Sequence, residues 1–426
     1  MTPIQDHPLR YKLANELHAR PFPTLEVPCG AVFLAIRKPK DAVGQIGDTD
    51  LAHLCDLLDR HGAAHPQPGA THYSGMIGRH MLKWEQHAEF VTYTVFTEGL
   101  SARAFDPAEF EVFPEDWLAR APGKRITSAL IRVDRMPEDA VIDVAMGEWF
   151  VPESLAVSYV LDQSCVVATD FRIDPAGHLR MAVFASAETG RRRVGRVVQR
   201  LCEIETYKTM SMLGYFRVKS ISNVLGELEA ETARLMGYLR SSEEEADATL
   251  ETLLELSSDI EKLIADTSFR FGATEAYEAI VNQRIKVLRE DRFLGRQLFG
   301  EFMSRRYDPA MRTVASTRSR LQSLADRASR AGELLRTKVE VARSAQNQAL
   351  LESMDQRAQT ALRLQETVEG LSVVAISYYA VSLVSYAAYP LVEATELSKG
   401  MVTALVTLPV VALVWWMVRR IRSKMH

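Results

Sequence analysis

The sequence predicts an N-terminal α/β (or α+β) domain, then long helices, then a stalk helix running into a C-terminal two-helix transmembrane hairpin. Three observations carry this reading. Residues 1–189 alternate helical patches with short stretches rich in β-branched and aromatic residues, the pattern of a mixed sheet with helices packed on it. From Gly190 onward the apolar period is helical throughout. Near the C-terminus, residues 371–391 and 401–418 contain no Asp, Glu, Lys or Arg. At 1.5 Å per residue these windows cover about 31 Å and 27 Å, which matches a hydrocarbon core of roughly 30 Å.

The first expected strands are "CGAVFLAIRK" (29–38), "HYSGMIGRHMLKW" (72–84), "EFVTYTVFTEG" (89–99) and "ITSALIRVDR" (126–135). Two more, "CVVATDFRI" and "HLRMAVFAS", flank a "DPAG" turn at 174–177. In "DLAHLCDLLDRHG" (50–62), Leu51, Leu54, Leu57 and Leu58 share one helical face and Gly62 supplies the stop.

The helical region, 190–308, begins with an apolar face of Val194, Val197, Val198, Leu201, Ile204 and Tyr207. A second run, from about Ile221 to Ile264, is acidic: Glu243, Glu244, Glu245, Asp247, Glu251, Glu255, Asp259, Glu261 and Asp266 meet only Arg240 and Lys262. A solvated face is the commoner use of such a strip and ranks first. Asp247, Glu251 and Glu255 share one side and are the weak candidates for a metal ion. In "RRYDPAMRT", Asp308 suits an N-cap and Pro309 the first helical position. The next proline is Pro390, so one helix is expected from 309 to 389, about 120 Å long, with its stalk at 309–370. Gly332 is the one interior break candidate, and Gly370 stands at the membrane entrance. Heptad spacing of Leu321, Ala328, Leu335, Ala342 and Ala349, with Leu324, Ala331 and Ala345 between, predicts close packing in a homo-oligomeric bundle or against the preceding helices.

A net charge of −4 argues against a nucleic-acid partner. Four widely spaced cysteines form no C-x-x-C pair and read as reduced thiols. The start lacks a secretory signal, and the tail 419–426 carries Arg419, Arg420, Arg422 and Lys424. The expectation is therefore a protein of the bacterial inner membrane, both termini cytoplasmic, in contact with the lipid bilayer.

The first window carries hydroxyls at unusual depth. On a helical wheel Tyr378, Tyr379, Ser382, Ser385, Tyr386 and Tyr389 fall within an arc of about 120°, while Val373, Ile376, Val381, Leu383, Val384 and Ala387 take the other side. Tyr378 and Tyr379 lie too deep for the interfacial belt and need partners. Packing between helices is the commoner use of such a face, and a pore lining is the sharper one. One register, Ala358, Ala361, Gln365, Val368, Ser372, Ala375, Tyr379, Ser382, Tyr386 and Tyr389, carries a single face from stalk into membrane and favours self-association.

His18 and Arg20, in "ELHARPFP", are candidates for contact with a ligand or anion, with stapling of a proline-stiffened segment as the blander role. Six histidines cluster between 53 and 87 without metal-ligand spacing. No nucleophile elbow, P-loop, Rossmann or H-E-x-x-H motif occurs, so an enzyme is the third-ranked class and no catalytic residue is named.

"HPLRYKLANELHARPFPTLEVP" (7–28) and "RVVQRLCEIETYKTMSMLGY" (196–215) resemble a bacterial family of uncharacterised membrane-anchored proteins, a domain of unknown function (DUF3422). The order of parts is also similar to CorA-type magnesium channels, homopentamers whose first span lines the pore. Their Gly-Met-Asn motif is missing, since Ala387, Ala388, Tyr389 and Pro390 stand in its place. The resemblance implies an oligomer that conducts cations, with a divalent cation as the ligand in question, and it does not carry magnesium selectivity across. The alternative is a non-conducting membrane-anchored scaffold or sensor with a ligand-binding cytoplasmic domain.

Overall fold

The alternation in the first 189 residues resolves into eight strands of a nine-stranded mixed sheet. In the computed structural model the described residues are 4–16, 22–39, 48–238, 246–388 and 399–425. After α1 (Arg10–Glu16) come β1 (Cys29–Arg37), α2 (Asp48–Arg60), β2 (His72–Ile77), β3 (His80–Gln86), β4 (Phe90–Glu98), α3 (Glu115–Ala119), β5 (Lys124–Arg135), α4 (Asp139–Trp149), β6 (Ala156–Val160), β7 (Cys165–Ile173) and β8 (Leu179–Ala185). The two-residue β9 (Asp291–Arg292) completes the order β2-β3-β4-β1-β5-β8-β7-β6-β9. Only β5 and β8 run parallel, so the domain is α+β rather than α/β. The stretch 72–84, expected as one strand, is a hairpin that turns at Gly78, whose φ of +58° suits a residue without Cβ.

Each face of the sheet buries its own core. On one, Leu54, Leu57 and Leu58 of α2, Trp117 of α3 and Ile142 and Met146 of α4 pack on Leu82, Trp84, Val91, Tyr93 and Val95. On the other, Val194, Val197, Val198, Leu201 and Ile204 cover Ala31, Phe33, Ala129 and Ile131. That second layer is α5 (Arg191–Tyr238), followed by α6 (Ala246–Lys286), α7 (Phe299–Arg306), α8 (Asp308–Ala387) and α9 (Lys399–Met425). The expected break before Ile221 does not occur. Residues 208–220 hold no proline, and Gly214 fits inside the helix because a Cβ there would lie 2.2 Å from Thr274 Oγ1 on α6.

Two compact units divide the chain, Met1–Gly237 with Thr252–Ala331, and Tyr238–Glu251 with Gly332–His426. In the first, Ser211 and Tyr307 share a hydroxyl hydrogen bond of 2.8 Å and Arg320 pairs with Glu229 at 2.7 Å, tying α5 to the start of α8. Val314, Leu321, Leu324, Ala328 and Ala331 of the heptad seam are buried there. Asp308 is not an extended cap: Tyr307 is helical (φ −93°, ψ −49°), and α7 passes almost directly into α8. In the second unit Leu335 and Val339 are still buried, but Ala345 and Ala349 are exposed, as are Leu350, Leu351, Met354, Leu362, Leu364 and Val368. Two helical segments, the end of α8 and Gly400–Arg420 within α9, are long and apolar enough to cross a membrane. The second of these continues through Pro409.

Candidate functional site

β3 and β4 put different chemistry on their two faces. Leu82, Trp84, Val91, Tyr93 and Val95 enter an apolar core, while the intervening Lys83, Glu85, Thr92 and Thr94 point beneath α5. Their register sets Lys83 beside Thr94 and Glu85 beside Thr92. From above, α5 supplies Gln199, Cys202, Glu203 and Thr206 at helical spacing, and α6 adds Arg284. A cavity of about 240 Å³ remains between them, walled by Phe33, Phe90 and Phe96.

Its charges form a chain. Lys83 Nζ donates to Gln199 Oε1 at 2.7 Å and lies 3.2 Å from Glu85; Gln199 Nε2 donates to Glu203 Oε1 at 2.8 Å, and Glu203 is ion-paired with Arg284. Lys83 is only 7 % exposed, so this pairing is what makes its burial tolerable. Burial, with Glu203 adding to it, pushes the Cys202 thiol well above its usual range, which disfavours the thiolate. The arrangement places charged donors and acceptors beside aromatic walls, which is the chemistry of binding a small polar molecule.

The mouth is bordered by chain that precedes β1. Phe22 and Pro23 line the cavity, Leu25 N–H donates to Arg191 O at 3.3 Å, and Glu26 pairs with Arg191. Pro23 crosses α5 so closely that a Cβ at Gly195 would lie 1.8 Å from its carbonyl oxygen. The two sequence stretches that carry the family resemblance therefore meet here. His18 and Arg20, four and two residues before Phe22, lie outside the described residues.

The other candidates are placed as follows. Tyr378, Tyr379 and Tyr386 are exposed at 71 %, 68 % and 79 %, Ser382 O–H donates to Tyr378 O at 2.9 Å, and Tyr389 lies outside the described residues. The covered side of α8 carries Val373, Ser377, Val381 and Ser385, so Ser385, placed with the tyrosines on the wheel, lies with Val373 and Val381 instead. The hydroxyls of Ser377 and Ser385 are enclosed there without a hydrogen-bond partner. Glu251 and Glu255 are exposed, the Asp247 side chain lies outside the described set, and among the described residues no three His, Cys, Asp or Glu side chains form a metal-ligand group.

Four of the six clustered histidines have distinct partners. His53 stacks on Trp117 in the core, His65 meets Asp59, His80 bonds Thr97 and His87 stacks on Phe90 beside the cavity. Sequence reasoning missed the cavity itself. Its one local signal was the alternation of Lys83 and Glu85 with Leu82 and Trp84, which reads equally as a strand with one solvated face.

Comparison with curated proteins and with solved structures gives no match, and a likeness to CorA-type channels is therefore not shown. Residues 5–425 match the family described as "Protein of unknown function (DUF3422)", and the chain belongs to that family.

Proposed function

We propose that this protein spans the bacterial inner membrane twice with both termini cytoplasmic, assembles through α8 into a homo-oligomer, and passes cations along an axis lined by the hydroxyl face of the first span. The observation that carries the reading is the exposure of Tyr378, Tyr379 and Tyr386 on a side of α8 other than the covered one. A hydroxyl facing hydrocarbon without a partner costs roughly 2–7 kcal/mol on transfer scales, so this face calls for water or a second copy. The basic residues Arg419, Arg420, Arg422 and Lys424 favour a cytoplasmic C-terminus.

Cation flux into liposomes, wild type against Ser382→Leu, tests the function. Loss of flux in the variant with an unchanged oligomer mass is the expected result. An intact wild-type oligomer that passes no mono- or divalent cation ends the conducting reading. Mass photometry tests assembly separately, since a species near the 47.8 kDa of one chain, after correction for detergent, would remove the axis. Labelling of single cysteines placed after residue 396 and at the C-terminus tests the topology, and the two should react from opposite sides.

A second reading, a membrane-anchored sensor, is favoured by the cavity under α5. It gains support if a small polar ligand raises the unfolding temperature of the wild type but not of a Lys83→Met, Glu85→Leu variant, in a protein without flux.

A further inference from the structure

Beyond the cavity, α5 borders a second recess of about 560 Å³, lined by Arg37, Leu213, Phe216, Arg217, Ser220, Asp266, Phe269 and Arg270. It lies at the end of β1, where Arg37 takes the face that Phe33 and Ala35 present to α5. Three guanidinium groups gather here, and their partners are unevenly shared. Glu89, 1 % exposed, is held by Arg270 and also accepts the Tyr277 hydroxyl at 2.8 Å. Among the described residues Arg37 and Arg217 form no ion pair, with Asp266 or with any other carboxylate, and Arg37 Nε is buried without a hydrogen-bond partner. Burial pulls the Arg37 pKa down, the repulsion of Arg270 adds to this, and the Glu89 carboxylate opposes it. Beside these cations two phenylalanines stand open, Phe216 at 61 % and Phe269 at 56 % exposed, and the Arg270 guanidinium lies 5.5 Å from the Phe269 ring centre.

We propose that this recess binds a phosphate ester with an apolar or aromatic body, its phosphate held by Arg37 and Arg217 and its body seated on Phe216 and Phe269. Guanidinium groups meet phosphate oxygens in two-point hydrogen bonds, and an open aromatic pair gives the rest of the ligand a surface that a bare ion would not use. The proposal is independent of both readings of the membrane segment. Two sources supply this chemistry, a soluble nucleotide and a lipid headgroup.

The test is calorimetric titration of the full detergent-solubilised chain with AMP, dioctanoyl phosphatidic acid and inorganic phosphate. At least one ester is expected to bind saturably and about tenfold or more tighter than inorganic phosphate, a gap of about 1.4 kcal/mol. Saturation by AMP assigns a soluble nucleotide, and saturation by the phosphatidic acid alone assigns a lipid headgroup. Arg217→Ala should weaken the ester about tenfold. Phe269→Ala should weaken the ester while leaving inorganic phosphate unchanged. Both positions are at least partly open to solvent, and thermal unfolding of each variant confirms that the fold is retained. Failure of both esters to bind saturably, or binding unaltered in the folded Arg217→Ala variant, overturns the proposal.

Discussion

The two faces of β3 and β4 are made by the same two neighbouring strands, of seven and nine residues, and behave as different materials. One face sets Leu82, Trp84, Tyr93 and Val95 against Trp117 and the α2 leucines, with aromatic rings in edge and stacked contacts 5–6 Å apart. The other sets Lys83, Glu85, Thr92 and Thr94 against a helix that answers with Gln199 and Glu203, and it leaves space. Tight apolar packing gives stability without chemistry, whereas paired charges around a void give little stability but a surface that a ligand can read. The sheet divides these tasks by side-chain parity.

The division can be broken from the apolar side first. Trp117→Ala, at a site with no exposure, should cost about 3–5 kcal/mol in denaturant unfolding of the sheet domain. Gly195→Ala comes next, at about 1–3 kcal/mol, because the atom in the way is the Pro23 carbonyl oxygen and backbone yields less than a side chain does. A loss as large as that of Trp117→Ala would mean that the Pro23 segment is part of the core rather than a border of the cavity.

Acid supplies a milder probe. Burial holds the His53 pKa below its ordinary 6.5, with Trp117 O accepting from one ring nitrogen at 3.1 Å and the Tyr93 hydroxyl 3.0 Å from the other. The unfolded chain therefore takes up this proton first as pH falls. The His53 contribution is complete above about pH 6.5 and is lost as pH drops through the folded value, so the unfolding temperature should decline there and decline less in His53→Gln. The smallest effect is expected on the polar face. Replacing Lys83 by Met and Glu85 by Leu together removes a pair rather than one partner and should change stability by about 1 kcal/mol or less. A much larger loss would show that the charges hold the fold.

What the sequence made legible follows from the range of each interaction. The α2 leucines, the turn at Gly177 and the long run of α8 are local patterns, and all three are present. The hairpin at Gly78 was hidden because its two arms are each short and continuous in composition. The cavity was hidden for a different reason: Lys83 and Gln199 are 116 positions apart, and parity alone does not say whether a polar face meets water or a helix. Of the heptad seam read along α8, Leu321, Leu324, Ala328, Ala331 and Leu335 are buried inside the chain, whereas Ala345 and Ala349 are exposed, a difference that spacing alone does not show.

The far edge of the sheet imposes an order in time. β6 is completed by Ser158 and Tyr159 pairing with Arg292 and Asp291, by Ser158 O–H donating to Glu290 at 2.6 Å, and by Leu161 N–H donating to Leu288 O at 2.8 Å. These partners leave the ribosome roughly 130 residues after β6 does, which at about 5–20 residues per second is about 7–26 seconds. Throughout that interval the nascent domain presents an open strand to its neighbours on the polysome, the condition under which edge-to-edge association begins. Synthesis of α5 and α6 is therefore a waiting period for the sheet, and the apolar C-terminal segments emerge only after the edge can be closed.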